Sequence, residues 1–310
     1  MPESSLRVPV LFLIFNRPDT TQEVFNEIRR ARPAQLFVAA DGPRKDRPED
    51  PDLCKKAREI VRQVDWECSV QTLLREENLG CKRAISSAID WFFSHVDEGI
   101  ILEDDCVPDQ SFFPFCENLL ERYRDDERVM MIAGTNYLFN KAPIRESYYF
   151  SRFYAIWGWA TWRRAWALYD IRMTGWPEFN KKNGLREVYR HKQIVPFFRK
   201  MMQEAYENRL DTWDIQWAYS CIIHHGLSIV PGDNLIRNIG NTGLHTVDPG
   251  PFHAMPTKRT DTSRMVHPKA VSPRYDLDTL TFHAIAKDER FPRNIYSCIC
   301  SFKKRYLDRK

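Results

Sequence analysis

The chain has 310 residues, 43% hydrophobic and 28% charged, with a formal net charge of +4. That length holds one large domain or two small ones with a sizeable core, and the composition is ordinary for a globular chain. The charge balance is too weak to imply a nucleic-acid partner, and no apolar run reaches the ~20 residues of a membrane-spanning helix.

Residues 8–15 are the longest apolar run near the start, without the basic flank or small-residue cleavage site of a signal peptide. A cytoplasmic location is therefore expected. The eight cysteines are scattered. None forms a Cys-x-x-Cys pair of zinc spacing, and Cys298-x-Cys300 is too tight for one. They read as reduced thiols, mostly buried.

Strand and helix alternate through the first half. The near-continuous apolar run of residues 8–15 predicts a strand buried on both faces, with Pro9 near its start. Thr20-x-x-Glu23 has the form of a capping box; Val24, Ile28 and Ala31 then share a helical face, and Pro33 ends the helix. Residues 35–40 predict a second strand, closed by the turn signal Asp41-Gly42-Pro43. An amphipathic helix is expected over 52–64 and a third strand over 68–74. A helix over 82–96 follows, then a fourth strand over 99–102. Asp109 is a candidate N-cap for a helix over 111–124, and residues 129–133 predict a fifth strand. This order implies a mainly parallel sheet with helices on both faces.

The second half reads differently. Residues 152–169 are dense in tryptophan. Helices are expected over 194–208 and 213–224, a short strand over 227–230, a Gly/Asn-rich loop over 238–245, and a Pro-rich lid or linker over 249–273.

The fourth strand runs directly into Glu103-Asp104-Asp105. Two unit charges ~4 Å apart repel by roughly 4 kcal/mol at an effective dielectric near 20, so such a run calls for a cation. Mg²⁺ and Mn²⁺ prefer oxygen ligands, and Mg²⁺ is typically held by one or two carboxylates plus substrate phosphates. Taken alone, three acids are more simply a solvated turn. Ligands of open α/β sheets, however, bind beyond the carboxyl ends of the strands. That rule brings Asn16-Arg17-Pro18, Asp41-Gly42 and the acid run to one rim.

The ordered set Phe15-Asn16-Arg17-Pro18, Ala40-Asp41-Gly42, Asn78-Leu79-Gly80-Cys81-Lys82-Arg83, Leu102-Glu103-Asp104-Asp105 and Trp157-Gly158-Trp159 resembles the GT-A-fold glycosyltransferases. It is similar to bacterial family-2-like sugar transferases and to the N-acetylglucosaminyltransferase I group, over residues 8–246. The resemblance implies an α/β GT-A (Rossmann-like) fold. It implies a nucleotide-sugar-binding half over 8–135, a helical, Trp-rich acceptor half over 136–246, and a C-terminal extension over 247–310.

It also implies roles. Asp105 would ligate Mn²⁺ or Mg²⁺; Glu103 and Asp104 would contact ribose, donor sugar or metal-bound water. Asn16, Arg17 and Asp41 would line the nucleoside pocket, with Asp41 accepting from a uracil N–H. Arg83 would reach the nucleotide or its phosphates, and His245 would serve as a late metal ligand or phosphate contact. Arg237 and Asn238 would close on the diphosphate. Trp213-Asp214 resembles the family's base element, which makes Asp214 the general base and Asp211 the reserve; Ile215 and Gln216 depart from the paired acids common there. Uridine is the first expectation for the base.

Trp157 and Trp159 flank Gly158, which suits a backbone that approaches a ligand closely, so these three are expected to contact substrate. Trp162 and Trp166 read as core. The basic end, residues 302–310, reads equally as a peripheral anchor to an anionic membrane surface or as a solubilising tail. The expected function is a metal-dependent, inverting glycosyltransferase that moves a sugar from a nucleotide-diphosphate donor to a glycan or lipid-linked hydroxyl in surface-polysaccharide synthesis. The alternatives are a sugar-phosphate nucleotidyltransferase, disfavoured by a first loop without glycine, and a non-catalytic carbohydrate-binding scaffold.

Overall fold

The computed structural model describes residues 6–139, 141–240 and 252–286. The first half forms β1 (Val10–Ile14), α1 (Pro18–Ala31), β2 (Gln35–Ala40), α2 (Asp50–Ile60), β3 (Ser69–Leu74), α3 (Gly80–His95), β4 (Glu98–Glu103), β5 (Cys106–Pro108), α4 (Phe112–Arg122) and β6 (Val129–Ala133). The expected β-α alternation is present, with ends that coincide or shift by up to four residues.

The helix starts are where local chemistry departs from expectation. No capping box opens α1. Pro18 occupies the first turn and Arg17 precedes it in a non-helical conformation, as proline at a helix start and the restriction on the residue before it both favour. The Thr20 and Thr21 hydroxyls donate back to the Arg17 carbonyl at 3.3 and 2.7 Å. Asp109 does serve the start of α4, accepting from the Ser111 N–H at 2.8 Å.

The second half contributes more strand than its sequence suggests. It holds β7 (Tyr148–Ser151), β8 (Trp159–Trp162), α5 (Arg163–Trp166), α6 (Trp176–Lys181), α7 (Leu185–Val188), α8 (Ile194–Tyr206), α9 (Asp214–Ile223), β9 (Leu227–Pro231), β10 (Ile236–Asn238) and α10 (Tyr275–Ala286). The eight-stranded sheet runs β3-β2-β1-β4-β8-β6-β9-β7. The β3-β2-β1-β4 block is parallel, β6 and β9 pair in parallel, and β8 enters antiparallel between β4 and β6. The two halves therefore share one sheet, and the Trp-rich segment is partly strand rather than purely helical.

Alternation along the parallel strands sets the two cores. Val10, Phe12, Leu36, Val38, Ile100 and Leu102 face one side, under α1 (Val24, Phe25, Ile28) and α4 (Phe115, Leu119). Leu11, Leu13, Phe37, Ala39 and Ile101 face the other, under α3 (Ala88, Ile89, Phe92) and the start of α9 (Trp217, with Trp213 just before the helix). Period-2 alternation with apolar residues on both sides is what a doubly covered sheet requires. A third core of Trp176, Tyr189, Phe198, Met202 and Tyr219 joins the short helices of the second half. Among the described residues no helix is long and apolar enough to cross a membrane.

A buried polar junction ties β1 to α2. The fully buried Asp50 accepts from Asn16 Nδ2 (2.7 Å), from Arg44 Nε (2.6 Å) and from the Arg44 N–H (3.1 Å). Removing one partner of such a group leaves the others desolvated and unpaired. Asp50→Ala is expected to lower stability by ~3 kcal/mol or more, read as a fall in the urea unfolding midpoint without a change in slope.

Candidate active site

One cleft opens at the carboxyl ends of β1, β2 and β4. Asn16, Arg17, Asp41, Glu103, Asp104, Asp105, Trp157 and Asp214 all line it. Leu13 of β1 pairs with Glu103 of β4, so the chain leaving β1 runs beside the acid run. Arg17 is turned towards that run by the non-helical backbone before Pro18. Its Nη1 donates to Asp105 Oδ2 at 2.8 Å, and its Nη2 donates to Asp104 Oδ1. The Phe15 N–H donates to Asp104 Oδ2 at 3.3 Å. The protein itself thus places one cation against two of the three acids.

Burial raises the pKa of Asp104 even with Arg17 beside it. Burial and the charges of Asp105 and Asp104 raise Glu103 well above the ordinary carboxylate range. Burial alone would weaken the charge on Arg17, but the two aspartates more than offset it and hold the guanidinium protonated.

Asp105 is fixed from its far side by the β5–β10 ribbon. Cys106 pairs with Asn238, and the Ile239 N–H donates to the Asp105 carbonyl at 2.8 Å. A Cβ on Gly240 would lie 2.5 Å from Asp105 Oδ2, so glycine is required for this approach. Asn238 Oδ1 accepts from the Gly240 N–H at 3.0 Å and the residue lines the cleft. Arg237 instead points to Glu23, 3.4 Å away.

Asp214 stands at the first position of α9 and is buried. Thr212 Oγ1 and the Ile215 N–H (2.9 Å) both donate to its Oδ1. The helix start favours its ionised form, but burial outweighs this and raises its pKa to about 7. A tryptophan cluster holds this helix end in place: Trp159 stacks on Trp213 (5.6 Å between ring centres, 24° between planes) and packs on Trp217 at 5.7 Å.

Several expected roles are corrected. Trp159 is fully buried in the sheet core; it supports Trp213 instead of meeting substrate. Gly158 adopts a φ of +57°, and a Cβ there would collide with Ile236 at 2.3 Å. Its close approach is thus to β10 and not to a ligand. That backbone turn breaks the strand alternation and sends Trp157 to the opposite core, at the cleft. Asp211 is committed elsewhere, accepting from the Cys81 and Lys82 N–H groups at the start of α3 (3.1 and 3.2 Å).

Asp41 lines the cleft, but its carboxylate already accepts from the Gly42 N–H (3.0 Å), the Leu79 N–H (3.0 Å) and Asn78 Nδ2 (2.9 Å). It braces two loops instead of waiting for a base N–H. Arg83 is exposed on α3 and does not line the cleft. Arg75, just beyond β3, does line it and donates to Ser87 Oγ at 2.7 Å. His245 and the basic tail lie outside the described residues.

Sequence reasoning missed Arg75 and His253. The strand-end rule could have found Arg75, since it directly follows β3. His253 had no signal; its ring sits 5.6 Å from Trp157 in the cleft wall, and burial lowers its pKa.

Among the described residues no three His, Cys, Asp or Glu side chains form a ready cation cage. The donors do fit a hard cation held by one or two carboxylates plus phosphate oxygens. Asp105 lines the cleft, and beside it Glu103 Oε1 is buried with no hydrogen-bond partner among the described residues.

No family model and no curated protein matches the chain. Solved structures similar to it include UDP-glucose pyrophosphorylase complexed with UDP-glucose (9% identity, 52% of this chain and 78% of that one, TM-score 0.31). HddC from Yersinia pseudotuberculosis is similar at 9% identity over 51% and 77%, with a TM-score of 0.30. So is 4-diphosphocytidyl-2C-methyl-D-erythritol synthase from Anaerococcus prevotii, at 8% identity over 51% and 74%, with a TM-score of 0.30. At these scores the likenesses carry no argument about chemistry; the chain itself folds as a mainly parallel, helix-flanked sheet of Rossmann-like type with an acid-lined cleft at its strand ends.

The raised pKa of Asp214 has a consequence for stability. Its folded value of about 7 lies above the ordinary 3.8. Between those values the unfolded chain binds fewer protons than the folded one, so this group costs stability as pH rises. Asp278, accepting from Ser151 Oγ, shifts the same way, so a variant is needed to isolate Asp214. Asp214→Asn is expected to match the parent near pH 4 and to exceed it by ~1–4 kcal/mol at pH 8, measured by urea unfolding at both values.

Proposed function

We propose that the protein is an inverting glycosyltransferase of the GT-A type that uses a nucleotide-diphosphate sugar. The observation that carries this is the pairing of two unlike acidic groups in one cleft: the Glu103-Asp104-Asp105 run at the end of β4, and the single buried carboxylate of Asp214 with its pKa near 7. A carboxylate poised near neutral pH is suited to take a proton in the transition state.

In this reading Asp105, with Glu103 beside it, would hold Mn²⁺ or Mg²⁺. When bound, the cation would neutralise charge that builds on the departing diphosphate. Arg17 beside the acid run and Arg75 elsewhere in the same cleft add positive charge. Asp214 Oδ1 is held by Thr212 and the Ile215 N–H, which leaves Oδ2 to receive the acceptor hydroxyl's proton. Trp157 and His253 line the cleft where a sugar would sit. A base on α9 facing a leaving group at β4 gives in-line displacement and inversion at the anomeric carbon. Uridine is the proposed nucleoside. A glycan or lipid-linked alcohol is the proposed acceptor, in surface-polysaccharide synthesis at the cytoplasmic face of a membrane.

A sugar-phosphate nucleotidyltransferase is the second reading. The names of the structural neighbours stand nearer to it than to a glycosyltransferase, at a likeness too low to decide. It would consume a nucleoside triphosphate and a sugar phosphate and release pyrophosphate, whereas the first reading releases a nucleoside diphosphate.

Two substitutions test the roles. Asp105→Ala is expected to abolish Mn²⁺-dependent binding of UDP, read by titration calorimetry; unchanged binding would remove Asp105 from the site. Asp214→Ala is expected to retain donor affinity and lose ~10²–10⁴-fold in turnover. Parent kcat/KM should rise with pH through about 7 as Asp214 ionises, and a flat profile would remove it as the base.

A further inference from the structure

The Arg17 fork is unequal. Its Asp104 arm is anchored: that carboxylate is only 4% exposed and is also held by the Phe15 N–H. Its Asp105 arm is accessible: that carboxylate is 15% exposed and Arg17 itself 29%. From the β10 side the Gly240 backbone packs against Asp105 Oδ2, where a Cβ would come within 2.5 Å, and the Cys106 thiol donates to Asp105 Oδ1 at 3.3 Å. The oxygen that Arg17 Nη1 holds at 2.8 Å belongs to the carboxylate best placed to ligate a cation.

We propose that Arg17 competes with the divalent cation for Asp105, so that cation and diphosphate bind as a coupled pair. This rests on the metal–diphosphate reading of the cleft. A cation alone has to displace a charge-assisted hydrogen bond and meets the positive guanidinium. A diphosphate offers that guanidinium new anionic oxygens, which it can reach by releasing Asp105 while keeping Asp104. The diphosphate thereby frees the cation's ligand, and the cation in turn screens the diphosphate from the acid run. Each ligand raises the other's affinity by the same factor, as linkage demands. On this account Arg17 binds the diphosphate directly and, while it holds Asp105, holds back premature loading of the site by metal.

The size of the effect follows from the population of the open arm. If Asp105 is free of Arg17 for about 1–10% of the time, the affinity for cation alone is reduced by about 10–100-fold. Removing Arg17 lifts that reduction and also removes the coupling.

The test is calorimetric titration of Mn²⁺ into the full chain, with and without saturating UDP, for the parent, Arg17→Ala and Arg17→Lys. The parent is expected to bind Mn²⁺ weakly alone and about 10-fold or more tighter with UDP. Arg17→Ala is expected to bind Mn²⁺ alone about 10-fold or more tighter than the parent, with little further gain from UDP. Arg17→Lys, which keeps the charge without the two-armed fork, should fall between them. If Arg17→Ala leaves Asp104 too exposed to its neighbours to fold, judged by thermal melting, the lysine variant and the parent's UDP dependence decide. Equal Mn²⁺ affinity in parent and folded variants, with Mn²⁺ still bound, overturns the competition and leaves the proposed function standing. Absence of Mn²⁺ binding in every protein, with and without UDP, overturns both.

Discussion

Three consecutive carboxylates at the end of a buried strand are the constraint around which the cleft is built. They cannot be desolvated together without positive charge close by. The chain answers with Arg17, brought to them because β1 and β4 are adjacent and parallel and because Pro18 forces the preceding residue out of the helix. The β5–β10 ribbon then closes on Asp105 with a glycine. One guanidinium thus partly offsets three acids, and Glu103 Oε1 has no hydrogen-bond partner among the described residues.

The opposite wall follows a different logic. There the sheet accepts an antiparallel strand, β8, whose Trp159 lies flat against Trp213 and so fixes the start of α9. Aromatic packing does at this wall what charge pairing does at the other: it sets one carboxylate, Asp214, in a dry position. Desolvation, and not a neighbouring acid, dominates its raised pKa. The two walls therefore present acids of different character, one paired with arginine and one near neutrality, within a single cleft.

Much of the fold was legible because buried parallel strands write near-continuous apolar runs, and β1, β2 and β4 do so. The site's first wall was legible for the same reason: polar residues that directly follow such runs fall on one rim. What was not legible depended on register and on backbone turns. Trp157 and Trp159 look equivalent in sequence, yet the positive φ at Gly158 sends one to the cleft and the other into the core. Asp211 and Asp214 are three residues apart and both acidic; only the position of α3 reveals that the first caps another helix. Strand β8, being short and tryptophan-rich, carries no alternation long enough to recognise. Arg17 could be placed at the rim, but its choice of Asp104 and Asp105 as partners needed the β1–β4 register.

The central claim is that the acid run receives a cation-bound diphosphate. The most direct measurement is a crystal structure of the full chain with Mn²⁺ and UDP. The account predicts the metal at about 2.0–2.2 Å from an Asp105 oxygen and bridged to the diphosphate, with the nucleoside beyond the ends of β1 and β2. Metal and nucleotide bound away from β4, or an undisturbed Arg17–Asp105 pair with UDP seated elsewhere, would contradict it.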